Sequence, residues 1–304
     1  MEMTDTRHPG LHRAAHAFLE RHALHPDPAA FLKHGYVPLF LAAWRGSTGE
    51  PLELAACWGL WTWRADDVFD TELRDADSRI IRALVGRLAD VLDGDPPEDV
   101  DQPITRALAD LVQRTRPSMP SGWWDRYASE LDAWLRAAAD KLEGWTRPAR
   151  TPSLRQYLTL RPVDGGMLLA AMWCELALGC VTPDWDGLLV HRLLDAFSAV
   201  GTLTNDLAAS TDDRFTAQAA LARTTGSTEL AARRHVREQL DAEQIRFQFL
   251  LTAIRDDARL DDPGGVSPVT IGFAAALDRF LLALTAWTHI SSRYALAAPA
   301  AVAR

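Results

Sequence analysis

Three aspartates, Asp66, Asp67 and Asp70, lie close together in the stretch WRADDVFDTE at residues 63–72. The stretch before them, LELAACWGLWTW, carries no charge after Glu53. On an α-helix, residues four apart project about 40° from each other, so Asp66 and Asp70 share a face. Three carboxylates ending a buried helix repel one another unless a cation joins them, and Mg²⁺ binds carboxylates together with substrate phosphates. Alone, the cluster is equally typical of a solvated helix end.

A second polar cluster, TLTNDLAASTDD at residues 202–213, follows the apolar stretch LLDAFSAVGTL. If one helix runs through it, Asn205 and Asp213 lie two turns apart and about 80° around the helix axis. An amide and a carboxylate in that arrangement could share one metal ion. The alternative is a helix end that is rich in residues favouring turns.

Two arginines stand where apolar segments are interrupted. LRPVDGGM places Arg161 beside Pro162 and a pair of glycines, which predict a break in the helix. SSRYAL places Arg293 and Tyr294 at the end of the last apolar segment. The planar fork of an arginine matches the geometry of a phosphate. Each arginine, taken singly, is also typical of an ordinary protein surface.

The elements that must position these residues are helices. Alternation typical of β-strands is nearly absent, whereas Ala, Leu and Arg are frequent. We predict an all-α bundle of about ten or more helices, formed by residues 1–304 as a single domain with short tails at about 1–10 and 297–304. The predicted helices cover 11–23, 28–45, 51–72, 76–93, 102–114, 121–146, 153–181, 186–211, 227–258 and 268–296.

Composition narrows the class of protein. With 48% hydrophobic residues, the 304-residue chain can bury a sizeable core. A net charge of -9 argues against a nucleic acid or an anionic membrane as partner, but metal ions could still bridge an anionic substrate. The longest apolar run is broken by Glu175 and is too short to span a bilayer. A polar start and three cysteines in apolar surroundings lead us to expect a cytoplasmic protein with reduced thiols.

Together, these residues resemble the motifs of the bacterial class I terpene cyclases, in order and spacing, over residues 60–294. The family has a DDxxD motif, an Arg followed by a linker Asp and an effector Gly, a second metal motif NDxxSxxxE about 45 residues further on, and a late Arg-Tyr pair. The matching residues are Asp66, Asp67 and Asp70; Arg161, Asp164 and Gly165; Asn205 and Asp213; Arg293 and Tyr294.

The second motif departs from the family pattern. Ala209 stands at the Ser position and has no ligand atom, Asp213 replaces Glu, and Asp212 replaces a frequent Lys. On a continuous helix, Ser210 would point about 100° away from the position of the missing ligand. We therefore expect Asn205 and Asp213 to bind a metal ion, with a water molecule in place of the third protein ligand.

The resemblance implies a helical bundle around a central apolar cavity, in which three Mg²⁺ ions and the arginines bind the diphosphate of a linear prenyl substrate. Ionisation of the substrate gives a carbocation and diphosphate. The aspartates, Asn205 and Asp213 would be metal ligands, and Arg161, Arg293 and Tyr294 would bind the diphosphate. Asp164 and Gly165 would be the linker and effector. Because many members dimerise through helix faces, a homodimer is one expectation.

Aromatic rings stabilise cations, which gives a role to some of the eleven tryptophans. Counting one or two helical turns from each motif predicts pocket positions on the cavity side. The catalytic pocket residues predicted in this way are Trp63, Trp173, Phe197 and Trp287, with Gly59, Met172, Gly201 and Phe40 as further candidates. Small residues near Arg161 and Asn205 favour a C20 substrate, geranylgeranyl diphosphate, over the C15 farnesyl diphosphate.

Three alternatives predict different features. A prenyl diphosphate synthase needs a second aspartate-rich motif, and the one candidate, DDARLD at residues 256–261, has the wrong spacing. A class II cyclase needs a DxDD stretch and a further helical domain. A non-catalytic helical binding protein would show no Mg²⁺-dependent binding of diphosphate.

Overall fold

The chain forms an α-helical bundle. The computed structural model describes residues 9–146, 150–210, 213–257 and 265–294, and within these ranges it has thirteen α-helices, two π-helical turns and no strand. The predicted all-α fold is confirmed. The helices are α1 (Pro9–Arg21), α2 (Pro28–Leu32), α3 (Tyr36–Ala43), α4 (Gly49–Asp67), α5 (Ser78–Asp93), α6 (Pro103–Thr115), α7 (Ser121–Lys141), α8 (Leu154–Asp164), α9 (Met167–Leu178), α10 (Leu188–Ala208), α11 (Ala217–Thr225), α12 (Glu229–Asp257) and α13 (Pro268–Ile290).

Apolar helices form the centre of the bundle. Helix α4 packs against α1, α6 and α9, while α13 packs against α3, α9 and α10. Helices α3, α4 and α9 are apolar on most of their faces, and a helix of that kind must be buried. Helices α5 and α6 bury one apolar face and expose a polar one, so they cover the outside of α4 and α7.

Several predicted helices are interrupted by glycines. The predicted helix 28–45 divides into α2 and α3, because Gly35 adopts a φ of 87°. The predicted helix 153–181 divides at Gly166, where φ is 64°, and not at Pro162, which lies inside the last turn of α8. Two predicted helices end earlier than expected: 186–211 ends at Ala208, and 268–296 ends at Ile290, because the backbone is extended at Ala209 and at Ser291. The predicted helix end at 258 and most of both terminal tails lie outside the described residues.

Helix α13 has the length and composition of a membrane span. Among the described residues, Pro268–Ile290 is the one helix with a sufficiently apolar window, and half of that window is buried inside the bundle. Because the core helix of a soluble protein passes the same test, this is weak evidence, and the expected lack of membrane insertion stays a prediction.

A buried carboxylate ties α7 to α9 away from the motifs. Glu175 is fully buried and accepts hydrogen bonds from Trp123 Nε1 at 2.7 Å, Arg126 Nη2 at 2.9 Å and the Thr182 amide at 2.7 Å. The Arg126 guanidinium lies over the Trp185 ring, 4.0 Å from its centroid. Burial raises the pKa of Glu175 despite these partners.

We expect Glu175→Gln to become more stable relative to the wild type as pH rises above about 4.5, the pKa of an unperturbed Glu. A carboxyl with a raised folded-state pKa binds its proton more tightly in the folded protein, so folding stability falls as pH rises from the unfolded to the folded pKa. The amide has no such dependence. Thermal unfolding of both proteins at pH 4.5, 6 and 7.5 measures the difference, and a constant difference would contradict the assignment.

Candidate active site

The residues singled out from the sequence converge on one cavity at an end of the bundle. The outer cavity has a volume of about 700 Å³ and contains residues from every motif. An inner pocket of about 110 Å³ continues from it into the apolar core. The predicted residues that line the outer cavity are Trp63, Asp66, Asp67, Asp70, Arg161, Asp164, Asn205, Asp213, Arg293 and Tyr294.

The first aspartate motif lies where α4 changes its helical form. Asp66 and Asp67 end the α-helix, and Asp70 lies in the π-helical turn Val68–Glu72 that follows. A π-turn has more residues per turn than an α-helix, so the angle of about 40° expected between Asp66 and Asp70 does not apply. All three carboxylates nevertheless face the outer cavity.

Basic residues from two distant parts of the chain neutralise these carboxylates. Arg293 donates to Asp66 Oδ2 at 3.0 Å and to Asp67 Oδ1 at 2.7 Å. The Lys141 ammonium lies 3.0 Å from Asp70 Oδ1 and 3.7 Å from Asp66 Oδ1. The sequence motifs indicate Arg293 but not Lys141, because a single lysine at the end of α7 has no diagnostic spacing.

The electrostatic environment differs among the three aspartates. Burial alone would raise the pKa of Asp66, but the charges of Lys141 and Arg293 outweigh it and hold that pKa below its usual value. Burial raises the pKa of Asp67 and raises that of Asp70 to about 6, although Arg293 and Lys141 oppose these shifts. The positive charge near Asp70 is therefore too small to offset the effect of burial on its pKa, and a further cation would lower that pKa.

The guanidinium of Arg161 joins α8 to α10. It donates to Asp164 Oδ2 at 2.9 Å, to Asn205 Oδ1 at 2.9 Å, and to Asp206 Oδ1 at 3.1 and 2.6 Å. Asn205 in turn donates to the Tyr294 hydroxyl at 2.7 Å. Residues from three of the four motifs therefore form one hydrogen-bonded network.

Asp206 is the centre of that network, and the sequence analysis missed it. The side chain is almost fully buried, and its Oδ2 accepts from the Tyr157 hydroxyl at 2.6 Å and from the Ala217 amide at 2.7 Å. The only signal in the sequence was its place directly after Asn205, where the family pattern also has Asp. Asp206 fixes the position of Arg161 relative to the start of α11.

The second motif does not lie on one helix, so the predicted separation of two helical turns between Asn205 and Asp213 is wrong. Helix α10 ends at Ala208, and Ala209 has an extended backbone. The Asp213 amide donates to the Ser210 carbonyl at 3.0 Å, and Asp213 Oδ1 accepts from the Phe215 amide at 2.9 Å. Ala209, Ser210 and Asp213 all line the outer cavity, whereas Asp212 lies outside the described residues.

The break between α8 and α9 brings backbone close to the inner pocket. A Cβ on Gly165 would overlap Thr202 Cγ2 of α10, so only glycine permits this approach. Trp134 Nε1 donates to the Asp164 carbonyl at 2.9 Å and fixes the break from the side of α7. On the opposite wall, the Met167 side chain covers Gly201 and occupies the space that a Cβ there would need.

Tryptophan rings line the inner pocket. Trp63 stacks on Tyr36 with ring centroids 4.8 Å apart, and it contacts Trp287 at 5.3 Å and Trp173 at 6.2 Å. These three tryptophans were predicted pocket residues, as was Gly201, and all four line the pocket. Pocket residues that the sequence analysis missed include Thr62, Trp134, Met167, Ala170, Phe280 and Leu284.

Other predicted pocket residues lie in the core. Phe197 was predicted to be catalytic, but it lines neither cavity; it is fully buried and packs against Phe247 and Phe280 with ring centroids 6.5 and 5.9 Å away. Gly201, one helical turn nearer to Asn205, and Phe280 form the pocket lining in this region. Met172, Phe40 and Gly59 are also outside the lining of either cavity, and Phe40 fills the space beside Gly59.

The oxygen atoms of the site suit a hard cation. In the described part of the chain, no three His, Cys, Asp or Glu side chains already converge in a metal-binding geometry. However, Asp70 Oδ1 and Asp164 Oδ1 are buried and accept no hydrogen bond. The Lys141 ammonium lies 3.0 and 3.3 Å from these two atoms, so a positive charge already balances them, and carboxylate and amide oxygens are the ligands that Mg²⁺ prefers. The donor set therefore fits Mg²⁺.

Solved structures share this fold, which is that of the class I terpenoid synthases. A linalool/nerolidol synthase from Streptomyces clavuligerus, in complex with 2-fluorogeranyl diphosphate, superposes with a TM-score of 0.80 at 22% identity, covering 92% of this chain and 99% of that one. Germacradien-4-ol synthase from Streptomyces citricolor gives a TM-score of 0.79 at 22% identity, covering 92% and 94% of the two chains.

Residues 57–244 match the model of a family described as terpene synthase family 2, C-terminal metal binding, and the chain belongs to this family. Pentalenene synthase of Streptomyces arenae is 28% identical over 58% of this chain and 52% of its own length. Pristinol synthase of Streptomyces pristinaespiralis is 37% identical over 45% of this chain and 37% of its own length. A (+)-T-muurolol synthase of Roseiflexus castenholzii that cyclises (2E,6E)-farnesyl diphosphate is 31% identical over 42% of this chain and 39% of its own length. The chain thus spans about half or less of the length of these relatives.

We expect Asp206→Ala to lower the free energy of unfolding by ~3 kcal/mol or more, because it leaves Arg161 and the Tyr157 hydroxyl without their buried partner. The neighbouring variant Asn205→Ala removes one neutral hydrogen bond, to Tyr294, and one from Arg161, which keeps Asp164 and Asp206 as partners, and should cost only about 1–2 kcal/mol. Urea unfolding of both variants measures the difference. Equal losses would mean that Asp206 does not organise the network.

Proposed function

We propose that this chain is a Mg²⁺-dependent class I terpene cyclase, a carbon–oxygen lyase that ionises a linear prenyl diphosphate and cyclises the resulting carbocation. One observation carries the proposal: a mouth rich in carboxylates and arginines opens directly onto a pocket lined by tryptophan rings. The charged mouth suits a diphosphate that is held through cations, and the pocket lined by tryptophan suits a hydrocarbon cation.

We assign the metal ligands to two sides of the outer cavity. Asp66, Asp67 and Asp70 would hold Mg²⁺ from the side of α4, and Asn205 and Asp213 from the side of α10; the family resemblance leads us to expect three ions in the closed complex. The ions would supply Lewis-acid stabilisation of the departing diphosphate. The carboxylates would exchange their present basic partners for the ions, since both compete for the same oxygens.

That exchange would make basic groups available to the substrate. Arg293 now uses its guanidinium on Asp66 and Asp67, and it would turn to the diphosphate once the ions take these carboxylates. Arg161 and Tyr294, which already share Asn205, would complete the diphosphate site. Arginine donors arranged around a leaving group stabilise the negative charge that develops on it.

The inner pocket would guide the carbocation. Trp63, Trp173 and Trp287 present ring faces that stabilise positive charge without reacting with it. Asp164 would serve as the linker that orients Arg161, and Gly165 would present its carbonyl at the helix break. The surrounding apolar walls would exclude water, which would otherwise quench the cation.

For substrate length, the pocket volume does not choose between the two candidates. The inner pocket of about 110 Å³ is smaller than a 150 Å³ protein cavity that holds benzene, so it would have to widen for either hydrocarbon chain. Small residues favour geranylgeranyl diphosphate, whereas the large side chains of Trp134, Met167 and Phe280 narrow the same pocket. We propose the C15 farnesyl diphosphate as the preferred substrate, in agreement with the substrate of the muurolol synthase relative.

The alternative functions have less support. A prenyl diphosphate synthase would use the motif DDARLD as its second aspartate-rich motif. Asp256 and Asp257 of this motif end α12 and line neither cavity, and Asp261 lies outside the described residues. We further propose that residues 1–304 form one domain. A cytoplasmic location, a homodimer and the lack of a nucleic-acid partner stay predictions.

We expect purified protein with Mg²⁺ to convert farnesyl diphosphate to cyclic terpenes and to convert geranylgeranyl diphosphate much less. Asp66→Ala should reduce turnover at least about hundredfold, because it removes a ligand of the metal cluster. Gas chromatography–mass spectrometry of incubations with C10, C15, C20 and C25 diphosphates measures both. Asp90→Ala, on the exposed face of α5, is the control, and a folded Asp66 variant with normal turnover would refute the proposal.

We expect Ser210→Ala to raise the Mg²⁺ concentration for half-maximal turnover about tenfold, the size typical for loss of a metal-site oxygen. On a continuous helix Ser210 would have faced away, but α10 ends at Ala208 and Ser210 lines the cavity with Asn205 and Asp213. Ala209→Ser is the matched control and should change this concentration less than about twofold. A larger effect of Ala209→Ser than of Ser210→Ala would mean that position 209, and not Ser210, is the ligand position.

A further inference from the structure

One ammonium group connects three separate elements of the site. Lys141, the last residue of α7, is almost fully buried. Its Nζ lies 3.7 Å from Asp66 Oδ1 on α4, 3.0 Å from Asp70 Oδ1 in the π-helical turn, and 3.3 Å from Asp164 Oδ1 at the end of α8. It thus stands between the first metal motif and the carboxylate that holds Arg161.

Lysine is rare in this chain. Among the 32 Lys and Arg residues, Lys33 and Lys141 are the only lysines, and Lys33 is exposed. An arginine carries a planar fork that fits a carboxylate through two hydrogen bonds, whereas an ammonium is a compact point charge. A point charge lies among several carboxylates without a preferred plane, as a metal ion does, whereas the guanidinium directs its donors within one plane.

The contacts of Lys141 are mainly electrostatic. Asp70 Oδ2 accepts a hydrogen bond from Nζ at 3.1 Å. Asp70 Oδ1 and Asp164 Oδ1 are as near or nearly so, yet both are buried atoms that accept no hydrogen bond. The ammonium nevertheless lies within ion-pair distance of both oxygens, and carboxylate oxygens are also the ligands that Mg²⁺ prefers, so the lysine and the ion would compete for them.

Building on the proposed function, we propose that Lys141 is a resident cation of the metal site. It is a positioning residue that holds Asp66, Asp70 and Asp164 together before Mg²⁺ binds, and Mg²⁺ displaces it from Asp66 and Asp70. Asp164 keeps Lys141 as its partner after the displacement. The ion and the lysine compete for the same carboxylates, so the lysine sets how readily the site takes up metal.

The scarcity of lysine allows a direct test on the wild-type protein. In protein labelled with ¹³C at lysine Cε, two side-chain signals are expected, and Lys33→Met assigns them by removing one. Addition of MgCl₂ with inorganic diphosphate should shift the Lys141 signal in proportion to the Mg²⁺ bound, measured by calorimetry, and leave Lys33 unchanged. Diphosphate with NaCl at equal ionic strength is the control. A Lys141 signal that stays fixed while Mg²⁺ binds overturns the proposal.

A second measurement uses Lys141→Met, with Lys33→Met as the matched control. Removing the competing charge should tighten Mg²⁺ binding by calorimetry about tenfold, whereas a purely structural lysine would leave the affinity unchanged or weaken it. Unchanged or weaker affinity in a folded Lys141→Met variant counts against the proposal. If wild-type protein neither binds Mg²⁺ nor turns over any prenyl diphosphate, the proposed function fails as well. If turnover is normal but neither the Lys141 signal nor the Lys141→Met affinity changes as expected, this inference alone is overturned.

Discussion

An excess of carboxylates at one end of an apolar bundle is the constraint on which the rest of the site depends. Helix α4, the π-helical turn after it, α8 and the segment after α10 all deliver acidic side chains to the same cavity, and such groups are costly to bury without partners. Three cations balance these carboxylates. Lys141 and Arg161 each lie between carboxylates of different elements, and Arg293 joins the segment after α13 to the two aspartates that end α4. The contacts that neutralise the site are therefore also contacts that hold its elements together.

Sequence patterns predicted those parts of the fold that local chemistry decides. Apolar periodicity gave the helices, paired glycines gave the break before α9, and each motif reached the common cavity. The end of α10 at Ala208 was missed, because the following residues still read as helical while hydrogen bonds of Asp206 to α11 decide where the chain turns. Lys141 was also missed, since its importance arises only from side chains that are distant in sequence.

The aromatic pocket illustrates a second limit. Trp63, Trp173 and Trp287 were found because each lies near a motif whose orientation is fixed. Phe197, equally far from its motif, does not line the pocket, because sequence spacing does not show which neighbouring side chains form the wall there, as Gly201 and Phe280 do. Counting small residues does not give the available space either, since the volume of a pocket depends on which large side chains enter from neighbouring helices, as Trp134 and Phe280 do here.

Met167 gives the pocket wall an uneven rigidity. Indole rings that pack against neighbouring side chains form part of the wall, but over Gly201 the wall is an unbranched thioether with several rotatable bonds. Such a side chain can change rotamer without any movement of the backbone. The shape that the pocket presents to a hydrocarbon can therefore change at this one patch while the charged mouth stays intact. In evolution, related chains could acquire new products through a change at this single flexible position.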